Sequence, residues 1–348
     1  MSKERLFELI DQKRKIFADM SDFVFDHPEI CFHENESSKY QSAVMEKAGV
    51  FEGIDIALCW HPSDDNTLDN TFMACVSFDL TFHGVASHAA GAPWEGRSAL
   101  DAIELMNVGV NFLREHVTPD TRIHYAYLDA GGSAPNVVQQ FAKVRYCVRA
   151  NKADYVEEVF NRVIDIAKGA CLMTGTTMDD PFVYSAFSDM IQNSTLDKLL
   201  LKNLDEQIKN NDFTQEDYDY AAQFQPYFTK PDAEFPIDLS IDWNLNKPPR
   251  GSSDTGDVSY FVPFSQMRVA ACATGTPGHS WGITTVGKSQ LAHKGMHIAA
   301  KTLAGAVYDL LDDPALIKEA KEVYAKNRGT KPYHSMLPDS VKPGDHHA

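Results

Sequence analysis

Apolar and polar residues alternate strictly along one stretch of this chain. Between residues 76 and 83, Val76, Phe78, Leu80 and Phe82 alternate with Ser77, Asp79, Thr81 and His83. This period of two predicts a strand with one buried face and one polar face. After a loop rich in glycine and alanine, apolar residues recur at steps of three and four, at Leu100, Ile103, Met106, Val110 and Leu113. That spacing predicts an amphipathic helix over about residues 98–116.

The two periods continue and define one structural unit. Strands are predicted over residues 122–129 and 142–149, and in the second Ala142, Val144, Tyr146 and Val148 share one face. A second helix carries Val156, Val159, Val163, Ile166 and Ala170, and a last strand is predicted over residues 176–184. The order βαββαβ predicts a ferredoxin-like antiparallel sheet with both helices on one face.

The segments on either side of this unit have the pattern of an α/β fold. Helices are predicted over residues 4–26, 36–47, 188–230 and 289–311, and a short one after Pro314, with an irregular proline-rich stretch over residues 205–250. A leucine stripe at Leu196, Leu199, Leu200 and Leu204 is typical of core packing. Short strands are predicted before His61 and over residues 267–272. We therefore expect three segments, residues 1–72, 73–187 and 188–348.

Composition excludes several classes of partner. The 348 residues carry a formal net charge of −17, which argues against nucleic acid and anionic membranes. The six cysteines are scattered without a Cys-x-x-Cys pair, and no long apolar run or signal peptide is present. These features predict a reduced, cytoplasmic protein whose cysteines serve as small buried apolar residues.

Three residues of the βαββαβ unit are candidates for chemistry. His88 follows the first strand, Asn136 lies between two strands and Arg149 ends a strand. An imidazole, an amide and a guanidinium suit the binding of an oxyanion and a carboxylate. Each also has an ordinary interpretation, as a solvated loop histidine, a turn former after Pro135 and a surface cation on an edge strand.

The motifs around these residues resemble a known family. Ser87-His88-Ala-Ala, Ser98-Ala-Leu-Asp101-Ala, Pro135-Asn136-Val-Val, Arg149 and the later Gly275-Thr-Pro-Gly-His279-Ser-Trp281 are similar to the zinc-dependent amidohydrolases and metallopeptidases of aminoacylase type. The resemblance implies a lid, or dimerisation, domain inserted in an α/β zinc-peptidase catalytic domain. It further implies a homodimer, or pairing with a related subunit, and cleavage of an amide bond in an N-acyl or aryl-acyl amino acid such as an aminobenzoyl-glutamate-like substrate. By the same resemblance His88 would stabilise the tetrahedral oxyanion in the neighbouring subunit's site, and Asn136 and Arg149 would hold the substrate carboxylate.

The chain departs from the family's pattern in its catalytic domain. Relatives carry a His-x-Asp motif, a Gly-His-Gly-Cys-Gly-His segment and a Glu-Glu pair, and none of these occurs here. The chain resembles a family member that lacks an internal block, with the seam near residues 49–51. Two zinc ligands remain by resemblance, His61 and His279, whereas the other ligands and the general-base Glu are absent. A co-catalytic zinc pair needs about four ligands per metal. The carboxylates of Asp64, Asp65, Asp254 and Asp257 are further candidates, but their spacing does not require this role, and capping of a helix start is the favoured interpretation of Asp254 and Asp257.

Two functions follow from this departure. The first is a zinc-dependent amidohydrolase, and the alternative is a catalytically inactive dimerisation partner or a truncated gene product. Of the remaining histidines, His27 and His33 near the N-terminus are expected to be structural, and His293 and His297, four apart on the last long helix, are expected to be packing or surface residues. His346 and His347 belong to the C-terminus and carry no prediction.

Overall fold

The computed structural model describes residues 2–27, 53–249, 251–330 and 332–337. The chain opens with two helices, α1 (Lys3–Gln12) and α2 (Arg14–Asp26). Ser2 begins α1 by accepting a hydrogen bond from the Arg5 amide at 3.3 Å. The sequence predicts one continuous helix here, but the helix is interrupted at Lys13, whose φ of −98° and ψ of 1° lie outside the helical region.

Two short strands follow, β1 (Ala57–Ser63) and β2 (Thr67–Leu68). The βαββαβ unit comes next and consists of β3 (Ala74–His83), α3 (Ala99–Leu113), β4 (Arg122–Asp129), β5 (Phe141–Ala150), α4 (Ala153–Thr174), β6 (Thr177–Met178) and β7 (Phe182–Phe187). Its five-stranded sheet has the order β4-β5-β3-β6, and β7 also pairs with β3. All of these pairings are antiparallel, as the sequence predicts.

One core lies between this sheet and its two helices. The alternate residues of β5 predicted to be buried, Ala142, Val144, Tyr146 and Val148, are all 0% exposed. They join Phe78 and Phe82 of β3 and apolar residues of α3 and α4 in a single cluster. The prediction of both helices on one face is therefore confirmed, since the periodicity of each element marks the side that it buries.

Two details of this unit differ from the sequence prediction. The last strand is split into β6 and β7 around Pro181, which has no N–H to donate to β3. The polar face of β3 is not open to water, because Ser77 and Asp79 are only 7% and 3% exposed. β3 lies in the middle of the sheet, and the neighbouring strand side chains cover it. Arg145 of β5, for example, reaches the Asp79 carboxylate and lies over the Tyr184 ring.

The rest of the described chain builds a smaller sheet and a helical layer. These elements are α5 (Ser194–Lys209), α6 (Gln215–Ala222), α7 (Thr255–Val258), β8 (Phe264–Ala270), α8 (Trp281–Val286), α9 (Gln290–Asp312) and α10 (Pro314–Arg328). β8 lies between β1, to which it is parallel, and β2, to which it is antiparallel. The predicted leucine stripe of α5 is buried against α9 and β8. The predicted helix over residues 188–230 is interrupted between α5 and α6, and most of residues 223–249 is irregular.

His293 and His297 of α9 attach the N-terminal helices. His293 Nε2 lies 2.8 Å from the Asp22 carboxylate of α2, and His297 Nε2 lies 2.6 Å from the Asp11 carboxylate of α1. Burial lowers the pKa of His297, against the opposing effect of Asp11. Of the two predicted alternatives, packing and surface, both histidines take the first, because they are 8% and 7% exposed.

Some predictions fall on residues outside the described part of the chain. These are the helix over residues 36–47, the position of His33, the seam near residues 49–51 and the C-terminal His346 and His347. Within the described ranges, every helix is either too short or too polar to cross a bilayer.

Candidate functional site

His88 lies on a continuation of the β3–β5 ladder, beyond the ends of both strands. The Gly84 amide donates to the Gln140 carbonyl at 2.8 Å, and the Ala89 amide donates to the Asn136 carbonyl at 3.0 Å. His88 itself forms an antiparallel bridge with Val137. The histidine is therefore carried at the tip of a hydrogen-bonded extension of the sheet.

Two glycines allow this extension to pack closely on the segment before α3. A Cβ atom on Gly84 would lie 2.0 Å from the Arg97 carbonyl oxygen, and one on Gly96 would lie 2.4 Å from the Ser87 hydroxyl. Val85 and Arg97 exchange two backbone hydrogen bonds of 2.8 and 2.9 Å at the same place. The path of the chain that carries His88 is thus fixed by backbone contacts that a larger residue would disrupt.

The His88 ring has a defined tautomer. Its Nδ1 atom accepts hydrogen bonds from the backbone amides of Ala90 and Gly91, at 3.2 and 3.1 Å. An imidazole nitrogen that accepts hydrogen bonds carries no proton, so the neutral ring has its proton on Nε2. The residue is exposed. Nε2–H is therefore available as a hydrogen-bond donor to a group outside this domain.

Asn136 and Arg149, the predicted carboxylate-binding residues, lie at opposite ends of β5. Asn136 is beside His88, joined to the same extension by its backbone carbonyl. Arg149 pairs with Cys75 near the start of β3, whereas Phe141 at the other end of β5 pairs with His83. From Phe141 to Arg149 the strand covers about 26 Å at ~3.3 Å per residue. The side chains of Asn136 and Arg149 of one chain therefore cannot reach one small carboxylate together.

Of the two predicted metal ligands, one lies on a strand of the small sheet and the other in a turn that follows it. His61 is an exposed residue of β1 that pairs in register with Arg268, and its Nδ1 donates to the Pro62 carbonyl at 2.7 Å. His279 follows β8 in an exposed turn with a φ of +53°. Across the described ranges, no three His, Cys, Asp or Glu side chains form a group that could hold a metal ion. The described residues alone therefore do not assemble the family's zinc centre, and we assign no step to zinc.

The four candidate carboxylates have structural partners. Asp64 accepts a hydrogen bond from the Gly275 amide at 2.9 Å and so joins the loops after β1 and β8. Burial raises the pKa of Asp257, and its carboxylate accepts hydrogen bonds from the Ser188 amide and the Tyr333 hydroxyl. Asp65 and Asp254 accept hydrogen bonds from the hydroxyls of Ser63 and Ser253. The capping prediction for Asp254 is wrong, because its side chain makes no hydrogen bond to the first amides of α7.

The outer edge of the βαββαβ unit exposes apolar side chains. β4 is the edge strand, and its Tyr125, Tyr127 and Leu128 are 41%, 38% and 44% exposed. On α3, Val108 and Phe112 are 50% and 73% exposed. An edge strand with free backbone groups and an apolar helix beside it are features of a protein–protein interface.

A further cluster on the opposite side of the sheet was not predicted from the sequence. The Cys75 and Cys147 sulfurs lie 3.4 Å apart, and Arg149 Nε donates to Cys147 Sγ at 3.4 Å. The hydrogen bond with Cys75 and the Arg149 guanidinium lower the pKa of Cys147 below the ordinary value of a thiol, against the effect of burial. The sequence signal is weak. Cys147 and Arg149 share one face of β5, but Cys75 is 72 positions away.

Comparison with known proteins gives this geometry a context. Residues 74–172 match a family model described as a peptidase dimerisation domain. The chain is 34% identical to a subunit of the p-aminobenzoyl-glutamate hydrolase of Escherichia coli over 325 residues, which is 86% of this chain and 67% of that protein. It is 28% identical to the Xaa-Arg dipeptidase of Mus musculus, over 80% of this chain and 58% of that protein.

A solved structure agrees at the level of the fold. A protein from methicillin resistant Staphylococcus aureus that is assigned as an aminohydrolase superposes with a TM-score of 0.50 at 15% identity, covering 74% of this chain and 59% of that one. The chain thus spans about two thirds of the hydrolase subunit and less than 60% of the other two proteins. The 34% identity to the hydrolase subunit, over 67% of its length, establishes the family of this chain. The chain belongs to the amidohydrolase family that includes this p-aminobenzoyl-glutamate hydrolase.

Proposed function

We propose that this chain pairs through its dimerisation domain and supplies His88 to the cleavage of an amide bond in an N-acyl or aryl-acyl amino acid. The observation that carries the proposal is the His88 ring. Two backbone amides bond to its Nδ1, so Nε2–H is fixed as a donor at the tip of the domain. A donor held in place before the reaction stabilises negative charge that develops on the scissile carbonyl oxygen.

The proposal requires two chains. His88 and Asn136 lie at one end of the β3–β5 ladder and Arg149 lies at the other. We propose that a substrate binds where the His88 end of one chain meets the Arg149 end of a second. Asn136 and Arg149 then bind the same carboxylate from different chains. The exposed apolar residues of β4 and α3 supply an interface that a symmetric dimer could use.

The chain's own residues have limited roles in this reaction. His88 donates a hydrogen bond to the oxyanion, Asn136 donates its amide N–H groups to the carboxylate, and Arg149 provides a planar, charged donor to the same group. A family zinc centre would supply the activated water, but the described residues do not assemble one. We therefore propose that the second chain, if it is a related subunit with a complete site, provides the nucleophile.

The second candidate function is a catalytically inactive dimerisation partner or a truncated gene product. The absence of a metal-binding group from the described residues favours it over a self-sufficient enzyme. We further propose the three segments 1–72, 73–187 and 188–348, with the first and last as parts of one incomplete catalytic domain. A reducing, cytoplasmic setting is also proposed, and the free thiols at Cys59, Cys75, Cys147, Cys171 and Cys272 support it.

Mixing tests the proposal. The partner is the full-length Escherichia coli p-aminobenzoyl-glutamate hydrolase subunit named above, with the residue that aligns with His88 replaced by alanine, and the assay is hydrolysis of p-aminobenzoyl-glutamate with added zinc. We expect little turnover from either protein alone and clear recovery in the mixture. His88→Ala in this chain should abolish the recovery, and the exposed histidine variant His116→Ala should not.

Association is measured on the same mixture by light scattering. A heterodimer without recovered hydrolysis would contradict the catalytic role of His88 and would support the second candidate function, an inactive dimerisation partner. Recovery that survives His88→Ala would exclude the role of His88. Substantial zinc-dependent turnover by this chain alone would show that it is a complete enzyme and would contradict the need for a second kind of subunit.

A further inference from the structure

Cys147 lies in a polar cluster that the proposed hydrolysis uses only through Arg149. Its sulfur is 3.4 Å from Cys75 Sγ on β3 and 3.4 Å from Arg149 Nε on β5. Cys75 is 2% exposed and lies 3.8 Å from the Ser77 hydroxyl. Cys147 is half-buried and so retains access from solvent. A guanidinium donor and a second thiol thus contact the sulfur of a half-buried cysteine.

The register of the sheet defines what the two cysteines can do together. Cys75 is opposite Arg149, and Cys147 is opposite Ser77, so the two cysteines occupy diagonal positions. Diagonal positions have Cα atoms about 7–8 Å apart, beyond the usual span of a disulfide. The two thiols therefore meet in an S–H···S hydrogen bond, in which Cys75 is the donor when Cys147 is the thiolate, and a disulfide would require movement of the strands.

The surroundings favour a negative charge on Cys147. The groups that face it across this side of the sheet are Cys75 and Ser77 on β3, Arg145 and Arg149 on β5, Arg122 and His124 on β4, and Tyr184 on β7. Asp79 is the acidic neighbour, and Lys143 and Arg145 neutralise it. The Cys75 hydrogen bond and the Arg149 guanidinium lower the pKa of Cys147, whereas Cys75 itself is raised in pKa.

We propose that Cys147 is a reactive thiolate and a site of oxidation by hydrogen peroxide, with Cys75 and Arg149 as its positioning residues. In this step the Cys147 thiolate attacks one oxygen of the peroxide. The S–O bond forms as the O–O bond breaks, the sulfur loses two electrons to the peroxide, and the hydroxide that leaves takes a proton from solvent to become water. The product is a sulfenic acid on Cys147. The site shares Arg149 with the proposed hydrolase function, but the oxidation requires no hydrolase substrate.

The pH profile of alkylation tests the thiolate directly. The purified chain is treated with iodoacetamide between pH 5 and 9, and each cysteine is followed by peptide mass spectrometry. Only thiolates react, so we expect the rate at Cys147 to change less than threefold between pH 6.5 and 8.5. Cys59, whose pKa is raised by burial, is the internal reference and should react faster by about tenfold per pH unit. A Cys147 rate that rises in parallel with that of Cys59 would overturn the proposal.

Variants separate the positioning residues from a general effect of mutation. Cys75→Ala removes the donor and should shift the Cys147 profile to higher pH. Arg149→Met should shift it in the same direction, whereas Cys171→Ala, a buried cysteine on α4, should leave it unchanged. Circular dichroism confirms folding for each variant, and the wild-type profile is decisive if a variant does not fold. An unshifted profile in both Cys75→Ala and Arg149→Met would exclude their roles.

Peroxide treatment tests the product. Dimedone, which reacts with sulfenic acids, should label Cys147 in peroxide-treated wild-type protein, and the label should be absent from Cys147→Ser. A Cys75–Cys147 disulfide as the sole product would overturn the role of Cys75 as a donor. Failure of the mixing experiment on hydrolysis would leave these results untouched, since none of them depends on substrate.

Discussion

The carboxylate of Asp197 on α5 accepts a hydrogen bond of 2.5 Å from the hydroxyl of Ser265 on β8. Asn70 donates a second bond of 2.7 Å to the same carboxylate. Asp197 is 1% exposed, and burial raises its pKa to about 6 in spite of these two bonds. An ionised carboxyl in this position therefore works against folding at neutral pH.

This pKa predicts that Asp197→Asn increases the free energy of unfolding, by an amount that depends on pH. Because the folded-state pKa is above the ordinary value, the folded protein binds the proton more tightly, and stability is lost as the pH rises from about 4 to about 6. Asn keeps the shape and removes the charge, so the variant should be about 1–3 kcal/mol more stable than wild type at pH 7.5. Denaturant unfolding at pH 7.5 and 4.5 measures this, with exposed Asp312→Asn as the control. An equal difference at both pH values would contradict the prediction.

A hydrogen-bond chain under α3 predicts a second effect. The fully buried Tyr146 donates to Asn107 Oδ1, and Asn107 donates to the Tyr127 hydroxyl at 3.0 Å. Tyr146→Phe leaves the buried Asn107 oxygen without its donor and should cost about 1–3 kcal/mol of unfolding free energy. Tyr227→Phe, at a tyrosine 74% exposed, should change it by less than about 0.5 kcal/mol. Similar losses of unfolding free energy in both variants would show that these buried hydrogen bonds do not contribute to stability.

The buried carboxylate of Asp79 predicts a third effect on stability. It accepts two bonds from Arg145, of 2.7 and 3.1 Å, and lies 3.3 Å from Lys143 Nζ. Asp79→Ala leaves Arg145 and Lys143 without this carboxylate, and we expect a loss of about 2 kcal/mol of unfolding free energy because Arg145 remains partly exposed. The exposed pair of Asp165 and Lys168 is the control, and Asp165→Ala should have no measurable effect in urea unfolding.

Gly84 predicts a local effect on the loop that carries His88. A Cβ atom would lie 2.0 Å from the Arg97 carbonyl oxygen, so Gly84→Ala must move backbone. We expect faster hydrogen exchange at residues 84–91 and loss of the recovery by mixing. Gly169 of α4 is the matched control, since a Cβ there meets no atom within 4 Å. Gly169→Ala should stabilise the protein by about 0.5–1 kcal/mol. Unchanged exchange in Gly84→Ala would contradict the close packing.

The sequence was informative wherever local periodicity determines structure. The buried set of β5 and the buried stripe of α3 follow from side-chain spacing alone, so their bounds and burial were predictable. The break at Lys13 was not, because α1 and α2 are held by contacts with residues far along the chain. Asp22 and His293 are 271 positions apart, and no local pattern links them.

The candidate site shows the same limit. The sequence placed His88, Asn136 and Arg149 in one domain, but the ends of the ladder at which they lie depend on strand register. His61 and His279 were paired by resemblance alone, and their zinc-binding role stays a prediction. The Cys75–Cys147 contact depends on the pairing of β3 with β5. The sequence of neither strand alone therefore predicts it.

The length of the β3–β5 ladder sets the reach of His88. Both strands are ten residues long and paired along their whole length, so the ladder behaves as a spacer between Arg149 and the histidine loop. Removing two residues from each strand would shorten this reach by about 7 Å and keep every side chain on its face, whereas removing one would exchange the faces. The distance between two chemical groups is thus encoded in the number of residues in a pair of strands, and that number can change only in steps of two.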